Sequence, residues 1–192
     1  MKFGSYRPWR ALGILFLIGL SGCYRPSVAV PDQAVLDRLL QLMQQRLLLM
    51  HDVARWKWNQ KQAIADPKRE QAFLENMQAK GQAHGLEEEF VRSFFRAQIE
   101  GAKQVQEDDF QRWQAEGRGS FADVPDLPTL QRSRNDAASN ELLIALAAAR
   151  PFLENADMRR QLAARATAVL SADGITARVR RTALQPLESP QR

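Results

Sequence analysis

The chain has 192 residues, 45% of them hydrophobic and 26% charged, with a formal net charge of +5. That length and apolar fraction suffice for one domain with a sizeable core. The single cysteine, Cys23, excludes an intrachain disulfide, and the only two histidines, His51 and His84, leave no cluster with metal-ligand spacing.

Lys2, Arg7 and Arg10 give the chain a basic start, followed by the apolar run Ala11 to Leu20. The run is too short to span a bilayer comfortably. "LSGC", Leu20 to Cys23, matches the bacterial lipobox, in which small residues precede a cysteine that is lipidated and becomes the new N-terminus. Residues 1–22 are expected to be a lipoprotein signal peptide, with Cys23 lipidated and residues 23–31 a tether. An ordinary secretory signal cut nearby is the plainer alternative, and both export the protein. Tyr24, where an Asp would retain a lipoprotein at the inner membrane, points to a periplasmic location on the outer membrane. The three signal cations account for much of the positive charge, so that charge is no argument for nucleic acid.

Helix one is expected at 32–60. Leu36, Leu39, Met43, Met50, Val53 and Ala54 share one face, and Asp37, Gln44, Asp52 and Arg55 lie opposite. Asp66-Pro67 is a helix start, with Asp as N-cap and Pro in the first turn. Helix two should run to Lys80, with Gly81 as its stop. Glu87, Glu88 and Glu89 suit the positive start of helix three, which carries Phe90, Phe94, Phe95, Ile99, Ala102, Val105, Phe110 and Trp113. "AEGRGSFADVPDLP", Ala115 to Pro128, reads as a Gly/Pro-rich connection. Helical pattern returns at 129–149, 151–171 and, more weakly, 174–185, and the tail 186–192 reads as irregular. The expected fold class is all-α, a single-domain bundle of five to six helices.

No Gly-x-Ser-x-Gly elbow and no strand-linked Gly-rich loop is present, so a covalent or metal-dependent hydrolase is not expected. Polar groups on apolar faces are what remain. Arg46 and Lys57 are 11 residues apart, which places them only about 20° apart around a helix, with Met50 and Val53 between them. Gln106 falls on the stripe of Phe95, Ile99 and Ala102. Arg69 and Glu70 open helix two after Asp66. Taken singly, Arg46 would snorkel to water, Lys57 would be a solvated helix end, Asp66 an N-cap, Arg69 and Glu70 a charged face, and Gln106 a boundary residue. His51 and His84 read as surface residues. Trp56 and Trp58, with the aromatics of helix three, read as packing. Together, cations without nearby acids are costly to bury, and an anionic ligand would remove that cost. Two carboxylates on a small molecule would suit two or three cations, with Arg the usual bidentate partner.

The series Arg46, Lys57, Asp66, Arg69, Glu70 and Gln106 resembles the AroQ-type all-helical chorismate mutases, with matching offsets and no gap. Leu74, Gly81, Leu86, Phe90 and Phe95 agree as apolar landmarks, and the likeness covers residues 33–115. The export signal and the helical extension at 129–185 resemble the secreted (γ) subclass, in which one chain supplies a complete site. The resemblance implies a domain over 32–185 that isomerises chorismate to prephenate, a shikimate-pathway step, by an intramolecular Claisen shift without metal or cofactor. It implies that Arg46 and Arg69 orient carboxylates, that Lys57 reaches a carboxylate and the ether oxygen, and that Gln106 donates a second hydrogen bond to that oxygen. Glu70, with the Asp66 region, would meet the ring hydroxyl. The subclass takes a further arginine from the helix after the linker; Arg132 fits best, because Asp136 and Leu142-Leu143 then align, and Arg134 stays open. Ala102 departs from the hydroxyl residue often found at its position. A homodimer is an assembly that the resemblance allows.

Two alternatives remain at this stage: an isochorismate-pyruvate lyase on the same scaffold, and a non-enzymatic helical envelope lipoprotein. Nucleic-acid binding is not expected, because Arg159, Arg160, Arg165, Arg178, Arg180 and Arg181 are spread over helix faces.

Overall fold

The computed structural model describes residues 31–124 and 132–188, with the backbone alone for Pro31 and Arg132. The signal peptide, Cys23, most of the tether and the last residues of the tail lie outside this range. Among the described residues there are six helices: α1 (Pro31–Gln60), α2 (Pro67–Ala83), α3 (Glu88–Ala115), α4 (Arg132–Leu153), α5 (Ala156–Val169) and α6 (Ala177–Glu188). None is long and apolar enough to cross a membrane.

The apolar stripe of α1 is the spine of the core. Leu36, Leu39, Leu40, Met43 and Leu47 are fully buried. Each such side chain contributes about 2 kcal/mol of burial, which matters in a chain with no disulfide. α1 packs against α3 on one side and against α4 and α5 on another, while α2 and α6 both lie on α3. The extension α4–α6 is therefore part of the same hydrophobic core. Gln98 on α3 ties α6 down, its Nε2 donating to the Ala183 carbonyl at 2.9 Å.

Local chemistry explains most boundaries. Asp66 caps α2, its Oδ1 accepting from the Arg69 N–H at 3.2 Å, with Pro67 at the first position. Gly81 does not stop α2, which continues to Ala83. It is instead a crossing point: a Cβ there would come within 2.6 Å of Val91 Cγ2 on α3. Pro151 does not begin α5 as expected but sits in the last turn of α4, and Asn155 caps α5 by accepting from Asp157 and Met158 N–H groups. Pro186 likewise falls in the last turn of α6, so residues 186–188 are helical and not tail. α4 ends at Leu153, two residues past Pro151, so little helix follows the i→i−4 bond that the proline lacks.

Beyond α3, the chain is pinned back onto the α1 terminus. Asn59 exchanges hydrogen bonds with the Phe121 backbone at 2.8 and 2.9 Å. Trp58 meets Phe110 and Trp113 edge-on, and Phe121 meets Trp113 edge-on in turn. Trp58 is thus boundary packing, as its sequence context suggested.

Candidate active site

α1 carries two cations on its inward stripe, and the fold treats them differently. Arg46 is 4% exposed. Its Nη1 donates to the Gln98 carbonyl at 3.1 Å and its Nε to Ser139 Oγ at 3.3 Å, and its guanidinium lies 5.7 Å from the centre of the Phe73 ring. All these partners are neutral, and among the described residues no carboxylate pairs with it. Burial alone pushes its pKa down to about 10. The snorkelling alternative is thereby excluded.

Lys57, three turns on, is half-buried, and its Nζ donates to the Ile64 carbonyl at 2.5 Å. That bond ties the α1–α2 connection to the end of the stripe. Desolvation lowers the Lys57 pKa, Arg69 lowers it further, and Asp66 and Glu70 oppose the shift. The electrostatics thus gather Lys57, Asp66, Arg69 and Glu70 into one cluster at the start of α2. Glu70 Oε1 accepts the Asp66 backbone N–H at 3.1 Å, so the helix start holds the carboxylate. Arg69 and Glu70 are half-buried, whereas Asp66 is exposed and acts chiefly as cap.

Gln106 lies on the facing stripe of α3 and is 4% exposed. Its Nε2 donates to the Ala102 carbonyl one turn back at 3.0 Å and lies 4.0 Å from Met50 Sδ. Met50 is the α1 residue between Arg46 and Lys57, so the amide sits against the middle of the cationic stripe. Nε2 carries two protons, and thioether sulfur is a poor acceptor for the second. Gln106 Oε1 is buried without a partner. Ala102, buried beside it, offers no hydroxyl.

α4 closes the Arg46 end. Ser139 is fully buried, and its Oγ donates to the Asn135 carbonyl at 2.7 Å while receiving Arg46 Nε. Arg134 is exposed. Arg132 lies seven residues before Ser139 and so on the same side of α4, about 20° away around the axis.

Three residues were missed from sequence. Ser139 and Gln98 both hold Arg46, and neither stands out in composition or spacing. Lys103, one residue past Ala102, reaches Glu70 and is the third. His51, expected at the surface, is instead bonded to the buried Asp109 at 2.6 Å and to the Asp173 carbonyl at 3.2 Å. His84 is exposed.

A surface cavity of about 660 Å³ lies next to this region, lined by Trp58, Asn59, Lys61, Gln62, Phe110 and Arg118 among others. It contains none of the clustered residues. Trp58 and Asn59 on its wall already donate to the Gly119 and Phe121 carbonyls. The clustered cations and the Gln106 amide lie along the α1–α3 stripe and at the start of α2, outside this open trough. The arrangement offers cations and an amide donor at fixed positions, so it suits binding a small anion.

Comparison with known proteins agrees with that geometry. The chorismate mutase type II family model matches residues 34–107. A secreted chorismate mutase from Mycolicibacterium smegmatis is 28% identical over 163 residues, 85% of this chain and 90% of that protein. The crystal structure of chorismate mutase from Burkholderia thailandensis superposes with a TM-score of 0.73 at 32% identity, covering 80% of this chain and 99% of that one. The secreted chorismate mutase from Yersinia pestis, at 19% identity and TM-score 0.66, covering 78% of this chain and 94% of that one, shares the fold.

Proposed function

The chain belongs to the chorismate mutase type II family, and on that premise we propose the residue roles by which it isomerises chorismate to prephenate. The reaction is an intramolecular Claisen rearrangement. The ether C–O bond breaks as a new C–C bond forms, electron pairs move within one cyclic array, and no proton or group leaves. Acceleration therefore comes from holding the compact conformer and favouring charge that develops on the ether oxygen.

Arg46 receives one substrate carboxylate, with Arg132 reaching the same end from α4. Arg69 and Lys57 receive the other. Lys57 also donates to the ether oxygen. Gln106 donates its second Nε2 proton to that oxygen from the opposite side, where the ether oxygen replaces Met50 sulfur as acceptor. Glu70, held by the Asp66 N–H, accepts the ring hydroxyl, and Asp66 maintains the helix start. No metal or cofactor has a role in this scheme.

One observation carries the reading: a guanidinium 4% exposed, with only neutral oxygens around it. Leaving that charge unpaired costs several kcal/mol, and a bound carboxylate offsets the cost. The test is to incubate the protein lacking residues 1–22 with chorismate and follow its ultraviolet absorbance, identifying the product. Prephenate supports the reading. No turnover, or pyruvate release from isochorismate alone, overturns it.

The protein is exported, in keeping with its secreted relative. The finer reading is that Cys23 is acylated and retains the enzyme at the outer membrane, and that two copies pair. Metabolic labelling with a radiolabelled fatty acid, lost in Cys23→Ser, tests the first point. Sedimentation of the signal-free protein tests the second.

A further inference from the structure

Lys103 stands on α3, one residue after Ala102 and three before Gln106. Its Nζ lies 2.7 Å from Glu100 Oε1 on its own helix and 3.3 Å from Glu70 Oε2 on α2. Glu70 is therefore gripped from two directions, with Oε1 on the Asp66 N–H and Oε2 on the Lys103 ammonium. The pair is sheltered, the Lys103 and Glu70 side chains being 21% and 25% exposed. Glu70 also acts electrostatically on Lys57, raising its pKa against the lowering by burial and Arg69.

We propose that Lys103 is a positioning residue for the reaction: it neutralises Glu70 and holds it in the one orientation that accepts the substrate's ring hydroxyl. The proposal rests on the role given to Glu70 above. A carboxylate oxygen has two acceptor directions, so Glu70 can keep both protein hydrogen bonds and still take an O–H from the substrate. Without Lys103, Glu70 keeps the Asp66 N–H but loses its counter-ion. Its charge is then drawn toward the Lys57 ammonium, which it already influences, or repels an arriving dianion. Lys103 blocks both. Its ammonium approaches from α3, the helix that also carries Gln106, so the hydroxyl acceptor and the ether donor are referred to one rigid element. The pairing with Glu100 fixes the lysine in turn.

The experiment is a double-mutant cycle on kcat/KM for chorismate with wild type, Lys103→Met, Glu70→Gln and the double variant. Lys103→Met should lose about tenfold in kcat/KM, and Lys103→Arg should recover to within about twofold because it keeps the charge and the reach. In the Glu70→Gln background, Lys103→Met should change kcat/KM by less than about twofold, because its object is already gone. Equal losses in both backgrounds, or no loss in the wild-type background, overturn the proposal. Lys103→Gln carries the same cycle if the Met variant does not fold. A wild-type protein inert toward chorismate would remove the whole functional reading, whereas an active wild type without coupling removes this proposal alone.

Discussion

Arg46 Nε lies 3.3 Å from Ser139 Oγ, so a buried cation on α1 is met by a hydroxyl on α4, 93 residues away, and not by a carboxylate. A protein selected only for stability would not keep this arrangement, because a buried charge without a counter-ion is costly. Function and stability should therefore move in opposite directions here. Arg46→Met is expected to lower kcat/KM by about 100-fold or more, the scale for truncating a buried charged contact. The same change should raise unfolding stability by about 1 kcal/mol, or roughly 2–4 °C in Tm for a domain of this size. Steady-state kinetics and thermal unfolding on the same preparation check both. A variant both inactive and less stable would show that the arginine is structural.

Gln106 sets the pH behaviour. An amide donates at any ordinary pH, so the wild-type profile of kcat/KM should be flat through neutrality. It should fall on the alkaline side as Lys57 loses its proton, earlier than an unperturbed lysine would, since burial and Arg69 both lower its pKa. Gln106→Glu places a carboxyl group that donates only when protonated, in a site where burial disfavours its charge. Activity should survive at acid pH and fall toward neutral pH. A pH–rate series on both proteins decides it, and loss of the same size at every pH would rule out Gln106 as donor to the ether oxygen.

How much of this was legible beforehand follows from the range of each signal. The helices, the inward stripe and the 11-residue spacing of Arg46 and Lys57 are local patterns, and a 3.6-residue period reports them directly. Asp66 as cap is also local. Gly81 misled because glycine signals a helix end by its backbone freedom, yet here it serves close approach of Val91. Pro151 misled because proline usually marks a first turn, yet α4 continues through it for two residues. Ser139 as a partner of Arg46, and Lys103 as a partner of Glu70, depend on how separate helices dock, and no periodicity encodes that.

His51 is a further case, since its partner Asp109 is 58 residues away. Nδ1 meets Asp109 at 2.6 Å, Nε2 meets the Asp173 carbonyl at 3.2 Å, and Arg112 holds the other Asp109 oxygen at 2.5 Å. The imidazole thus joins α1, α3 and the α5–α6 turn, where Gly174 at φ +76° leaves room that a Cβ would take from the ring. The hydrogen bond to Asp109 raises the His51 pKa, against a smaller opposing effect of burial. A group whose folded pKa is raised stabilises fully below its unfolded value, about 6.5 for His. That contribution is lost as pH rises through the raised folded value. Tm should therefore decline between mildly acid and alkaline pH, and His51→Ala should flatten this part of the curve. At pH 6 the substitution should cost about 2 kcal/mol, since it leaves a buried carboxylate one partner short. Thermal unfolding of both proteins from pH 5 to 9 is the measurement, and parallel curves would dismiss the linkage.

The choice between Arg132 and Arg134 turns on helix register. Ser139 faces Arg46 and fixes which side of α4 looks at the site. Counting back seven residues reaches Arg132 at about 20° from that side, while five residues back reaches Arg134 at about 140°. Arg134 is exposed, as that angle requires. Arg132 opens the helix, two turns from Ser139. On the roles proposed above, Arg132→Ala is expected to raise KM for chorismate about tenfold or more, with a smaller fall in kcat, because it would remove one of two cations assigned to the same carboxylate. Arg134→Ala should leave both constants within about twofold of wild type, the usual result for a surface charge. Raising ionic strength should mimic part of the Arg132 defect and little of it in the variant, since the lost attraction is electrostatic. If Arg134→Ala carried the KM defect and Arg132→Ala did not, α4 would have to be turned by more than a quarter of its circumference, and its contact with Arg46 through Ser139 would have to be abandoned with it.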